Sequence, residues 1–131
     1  MAAVTNPTTF RPVSVPGYEV NQDGAQAGVA ITKGQLLILS GAAPAAGFVN
    51  VWIPATAAVA EAHGIALMTS AAGQVAEVGI QGEADNFAGL TPGNPLYPSG
   101  TVAGGIDTVG VTGATARVRA ISATRIRFSF V

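Results

Sequence analysis

Glu61 and His63 stand two residues apart, a spacing that on a β-strand puts both side chains on one face. With Ser70 or Ser99 as nucleophile they would form the acid–base–nucleophile set of acyl transfer. No serine lies in a G-x-S-x-G elbow, so His63 is expected to be a surface histidine beside a turn. A second group is Glu77, Glu83 and Asp85, of which the last two would share a strand face. Paired carboxylates hydrolyse glycosides or hold calcium. Sugar clefts need aromatic platforms, and aromatics are only 6% of the chain; no D-x-[DN]-x-[DN]-G loop occurs either. These acids are expected to be solvated loop residues.

The third group is cationic. Arg117, Arg119, Arg125 and Arg127 supply four of the six positive charges. Their i, i+2 spacing puts each pair on one strand face. Phe128 and Phe130 alternate out of phase with the arginines, so no stacking platform for nucleic acid accompanies them, and nucleic acid is not expected as a partner. The expectation is a solvated face or an electrostatic contact with an acidic protein surface.

Composition narrows the rest. The 131 residues suit one domain; 49% are hydrophobic, but many of those are alanine, which leaves a modest core. Only 10% are charged and the net charge is −1, so the chain offers no basic field for nucleic acid and a surface prone to association. The absence of cysteine removes disulfides, thiolate nucleophiles and cysteine–metal sites, and a single histidine cannot build a two-histidine site. No metal, cofactor or catalytic residue is expected, and the chain is not read as an enzyme. The mean hydropathy is +0.45, yet Gly, Pro and Thr break every apolar stretch before it could span a bilayer, so no membrane partner is expected. The N-terminus lacks the basic lead and long apolar run of a signal peptide.

The elements that must position these residues read as β. Leu36–Leu39 is a short apolar run between Gly34 and Gly41, the pattern of a fully buried strand. Residues 48–53, 63–69, 74–81, 106–111 and 116–121 continue the series, and Ile126, Phe128 and Phe130 alternate with Arg125, Arg127 and Ser129. Residues 54–62 (PATAAVAEA) admit at most one short helix. The expected fold is all-β: a small compact barrel or sandwich of about seven to nine short strands.

Residues 1–28 differ from the single β domain expected over 29–131. Pro7, Pro12 and Pro16 make them an extended N-terminal arm, and Phe10, Val13, Val15 and Tyr18 give that arm apolar groups to lay on a partner. An internal echo also stands out. Ile31-Thr32-x-Gly34-x-x-Leu37-Ile38 returns as Leu90-Thr91-x-Gly93-x-x-Leu96-Tyr97, implying two similar β units packed face to face.

The order of pieces resembles the small β-fold head decoration, or capsid cement, proteins of bacteriophages. The resemblance is carried by Lys33–Leu39, His63–Leu67, Ala72–Val78, Leu90–Tyr97 and the closing strand Arg125–Val131, and it spans residues 28–131. Gln35 and Asn94 stand where that family has an acidic residue after the turn glycine, and Arg119-Ala120-Ile121 lacks the glycine of its phrase. The resemblance implies a virion structural protein, made in the host cytoplasm and located on the outer capsid surface. There a homotrimer would bridge neighbouring major capsid proteins of the expanded head. The partner-binding candidates are Phe10, Val13, Val15, Tyr18, Arg125 and Arg127. The rival reading is a receptor- or sugar-binding β module of a virion fibre, or another structural shell protein.

Overall fold

A computed structural model describes residues 3–4, 10–13, 20–22, 24–56 and 59–130. Among them the chain is all-β, with twelve strands: β1 (Ala3–Val4), β2 (Arg11–Val13), β3 (Val20–Gln22), β4 (Ala25–Ala27), β5 (Leu36–Ser40), β6 (Asn50–Pro54), β7 (Gly64–Ala66), β8 (Val78–Asp85), β9 (Pro95–Pro98), β10 (Ile106–Asp107), β11 (Val118–Ala120) and β12 (Ile126–Ser129). The count exceeds seven to nine because the first 28 residues themselves contribute four short strands. The described residues of 54–62 form no helix. Pro54 closes β6, the Ala55 N–H bonds to the Leu36 carbonyl, and the Ala60 carbonyl accepts from Thr115, so the backbone groups are used by distant partners. So short an alanine run could not hold a helix alone against that competition.

The strands join into one open sheet in the order β1-β10-β9-β11-β12-β8-β7-β5-β6-β4, with β2 and β3 pairing onto β8 outside that path. The sheet does not close into a barrel by a strand ladder. Loop bonds bring its halves together instead: Leu36 N–H to Gly104 O and Gly104 N–H to Ala55 O, 2.8 and 2.7 Å.

The internal echo is structural. Gly34 and Gly93 occupy the same left-handed conformation, φ 89° and 88°, which glycine alone adopts without strain. Each is the third residue of a turn closed on the threonine carbonyl: Gln35 N to Thr32 O at 3.1 Å, and Asn94 N to Thr91 O at 3.2 Å. Each glycine N–H then bonds the end of the neighbouring strand, Ala66 O at 2.8 Å and Ala120 O at 2.7 Å. Beyond the turns, Leu37 pairs with Gly64 as Leu96 pairs with Val118, and Ala66 pairs with Val78 as Ala120 pairs with Ile126. From the centre outward the first half therefore runs β8-β7-β5-β6 and the second β12-β11-β9-β10. Gln81 lies three residues past Val78 (81 − 78 = 3) and Ser129 three past Ile126 (129 − 126 = 3), and these two pair with each other. That pair marks an approximate twofold axis. The halves thus meet edge to edge through β8 and β12, not face to face as the sequence suggested, because both inner strands leave an edge that only ladder hydrogen bonds can satisfy.

Two apolar clusters flank the sheet. The larger contains Leu36, Ile65 and Leu67 from the first half, Leu96, Ile106, Val118, Ile126 and Phe128 from the second, and Phe10 from the arm. The smaller contains Ala25, Ala27, Ile31, Leu37, Trp52, Ala66, Ala76 and Val78. Leu36 belongs to one and Leu37 to the other, so the start of β5 is covered on both faces, whereas Ile38 is half-buried and Leu39 is 45% exposed, so the expected full burial of the run holds only for its first two residues.

Candidate functional site

On β8, β12 and β2 the alternation of side chains separates two faces. Ala84, Ile126 and Phe128 point into the core, while Glu83, Asp85, Arg127, Arg11 and Val13 point away from it. Register then sets the outward residues in rows across the sheet. Arg11 lies opposite Asp85, with Arg125 just before β12 beyond it; Val13 lies opposite Glu83, Glu83 opposite Arg127, and Arg127 opposite Arg119.

The charges interlock along these rows. Arg127 donates through Nη2 and Nε to one oxygen of Glu83, at 2.8 and 3.2 Å. Arg125 spans both acids, with Nη1 3.6 Å from Glu83 Oε1 and Nη2 3.3 Å from Asp85 Oδ2. Arg11 reaches the same Asp85 oxygen at 3.3 Å and so ties the arm to the sheet. Three guanidinium groups and two carboxylates leave the group one positive charge in excess. Like charges face each other at Arg119 and Arg127, a destabilising arrangement in itself. It is relieved because Arg119 turns to donate to the Gly93 carbonyl while Arg127 turns to Glu83. Glu83 is 7% exposed at its side chain, whereas Arg11 and Arg127 are 65% and 51% exposed. The acids sit low in the face and the arginines spread over them into solvent. This corrects the expectation of solvated loop acids: Glu83 and Asp85 are strand residues, and Glu83 is buried beneath its partners.

The Asp85 carboxyl is held below its ordinary value of 3.8, chiefly by the backbone N–H of Asn86. Burial opposes this, and Arg125 and Arg11 add to it. A folded-state value below the unfolded one means a contribution present above the ordinary carboxylate range and lost as pH falls through the folded value. Replacing Asp85 by Asn should therefore lower stability by about 1 kcal/mol at neutral pH, the scale of partly exposed ion pairs. The difference should shrink below about pH 4. Melting temperatures of both proteins from pH 7 to 2 check this; a constant gap would contradict it.

The sequence candidates fall into three groups. Val13, Arg125 and Arg127 come together on this face, although more than 100 residues separate the first from the others. Phe10 turns to the chain's own interior, 3% exposed, with its ring edge-on to Phe87 at 6.0 Å. Val15 and Tyr18 lie outside the described residues. Of the first 28 residues, β2 and β3 pair with β8, while β4 pairs in parallel with β6 and buries Ala25 and Ala27.

Of the residues considered for acyl transfer, Glu61, His63 and Ser99 are engaged in separate contacts, and the Ser70 hydroxyl is buried with no hydrogen-bond partner among the described residues. Glu61 accepts from Arg117 at 2.6 and 3.0 Å, and His63 Nδ1 accepts the Leu39 N–H at 3.1 Å. Ser99 Oγ accepts the N–H groups of Thr101 and Val102, each at 3.1 Å, and so caps a loop. Trp52 is buried, its indole N–H bonded to Asn50 Oδ1, and offers no platform for a sugar. A shallow depression of about 330 Å³ lies between Tyr97 and the 108–114 loop.

Reading the sequence missed one feature, the uncharged end of the molecule. No charged residue occurs in 24–32, 34–60 or 69–76. The 41–47 loop and the 71–75 turn in these segments are exposed throughout. The side chain of Gln26 joins them, accepting the Ala45 N–H at 3.0 Å and donating to Gly73 O at 3.1 Å. The long gap between Lys33 and Glu61 in a chain with 13 charged residues was the available signal. Comparison of the chain with protein-family models, with curated proteins and with solved structures finds no match.

Proposed function

We propose that this chain is a decoration protein of a phage head, which binds the outer surface of the expanded shell and clamps neighbouring major capsid proteins together. One observation carries the reading: Val13 of the arm, Arg125 just before the last strand and Arg127 on it, each singled out in the sequence as partner-binding, lie on one face. Arg11 and Arg127 extend half or more of their surface beyond the acids they pair with, and the group keeps its one excess positive charge. Such a face suits an acidic protein surface, and its planar guanidinium forks are suited to carboxylates. The ordered phrases of the resemblance add to this. Two of them fall on the Thr-x-Gly turns and the strands that leave them, and the others on β7, on the turn leading into β8 and on β12.

The proposed mechanism is linkage. A protein that binds the assembled shell but not its dissociated subunits shifts the equilibrium toward the shell by an amount set by its affinity and concentration. In a homotrimer each further contact would be intramolecular, so modest single contacts add up through effective concentration. This role uses no bound cofactor and no turnover.

The test is quantitative mass spectrometry of purified virions, counting this chain against the major capsid protein. The expected result is about one copy per capsid subunit, or another simple lattice fraction. Absence, or only a dozen or so copies, would overturn the proposal.

A further inference from the structure

We infer that the depression between Tyr97 and the 108–114 loop is a binding site for one neutral sugar ring. It measures about 330 Å³, the lower end of the roughly 300–1,000 Å³ of small-ligand sites. Register and one turn build it. Tyr97 pairs with Asp107 across β9 and β10, so the two side chains share a face of the sheet. Asp107 is nevertheless fully buried, while Tyr97 is half-buried. The loop makes the difference: Asp107 Oδ1 accepts the Val109 N–H at 3.1 Å and draws the chain back over its own strand. The ring of Tyr97 then rests on the loop's backbone, since a methyl group on Gly110 would stand 2.9 Å from its Cγ. Beside Gly113 the space is open, and a methyl group built there meets nothing within 4 Å.

The approximate twofold axis supplies a second observation. Tyr97 and Asp107 occupy the positions that Ile38 and Ile53 hold in the first half, where the equivalent strands pair isoleucine with isoleucine. There Ile38 packs against the larger apolar cluster. The second half therefore carries an aromatic ring and a buried loop anchor where the fold itself is satisfied by two aliphatic side chains. The lining selects the ligand. No carboxylate, amine or guanidinium lines the depression, so a charged ligand would lose hydration without gaining a partner. At Gly110 and Gly113 no side chain screens the backbone, whose N–H and C=O groups suit a ligand that both donates and accepts. A sugar ring meets both conditions: its C–H face lies on the tyrosine ring and its hydroxyls reach the loop backbone and Thr108. A proline-rich segment would use the ring but brings no N–H for the loop carbonyls.

This inference goes beyond the shell-binding reading and does not rest on it; absence of the chain from virions would leave it standing. The experiment is a titration of the isotopically labelled full chain, without any shell, followed through its amide chemical shifts. The probes are the methyl glycosides of glucose, galactose and mannose, and N-acetylglucosamine, with glucuronate and oligoproline as comparators. The expected result is saturable shifts centred on Gly110, Gly113 and Ala114 for at least one neutral sugar, and none at Ile38 or Ile53. Glucuronate should bind at least about tenfold more weakly than that sugar. Tyr97→Phe, which keeps the ring, should bind like the parent, and Tyr97→Ala should bind at least about tenfold more weakly. Thermal melts confirm that both variants are folded; if Tyr97→Ala is not, the map of shifts on the parent decides alone. Binding of none of the neutral sugars would overturn the inference, as would shifts that map elsewhere or a preference for glucuronate or oligoproline. Equal affinities in Tyr97→Phe and Tyr97→Ala would overturn it too.

Discussion

Replacing Phe128 by Ala should cost about 4 kcal/mol of folding free energy, within the range for deleting a buried aromatic ring. The ring is 1% exposed and lies on β12, opposite Gly82 of the first half and Val118 of the second. It also fills the space that Gly79 leaves open: a methyl group on Gly79 would meet the ring at 3.0 Å. Its neighbour Phe130, 6.0 Å away at a tilt of 33°, is only half-buried and cannot close the cavity without leaving its own site. Since whole domains are stable by only about 5–15 kcal/mol, the loss should be plain in chemical denaturation. The midpoint should fall with the slope of the transition unchanged. Phe130→Ala should cost clearly less, because part of that ring is already in water. Equal losses at the two positions would mean that the β8–β12 junction does not bury Phe128 as described.

The second large effect is expected at Phe10. Truncation to Ala should cost about 3 kcal/mol, because the ring is buried in the larger cluster and packs edge-on against Phe87. The β2 segment of the arm would then be held mainly by its own three residues of β-ladder and by Arg11–Asp85, an ion pair whose arginine is 65% exposed. Arg11→Ala alone should lose under about 1 kcal/mol. Denaturation measures the first quantity, and amide exchange in β2 against β12 localises it: protection should fall most at the amides of Arg11 and Val13. Full stability with impaired shell binding would mean that Phe10 faces a partner instead of the core. The two outcomes separate an arm that completes its own fold from one that reaches elsewhere.

Part of the candidate site was visible in the chain. Glu83 and Asp85, Arg125 and Arg127, and Arg11 and Val13 are all i, i+2 pairs, and a period of two fixes that the members of each pair share a face. Which pairs meet depends on strand order and register. Those are set by the β8–β12 and β2–β8 ladders, whose paired residues lie 42 to 74 positions apart (126 − 84 = 42, 85 − 11 = 74), a distance of which local sequence carries no record. Glu83 was read as solvated because acids usually are. Its burial follows from arginines on two separate flanking positions, a condition that exists only once β8 lies beside β12.

Taken alone, the order of residues determined the β character, the strand at β5, the glycine turns at Gly34 and Gly93 and the existence of two related units. Each of these is local: a side-chain period, a backbone conformation only glycine tolerates, or a repeated turn. Tertiary structure alone decided that the units join edge to edge at Gln81 and Ser129, that Phe10 is core, and that the described residues of 54–62 are not helical. It also decided that Arg125 and Arg127 rest on the buried Glu83. The reason is the same throughout: backbone and charged groups must find partners, and in a β fold those partners are distant in sequence.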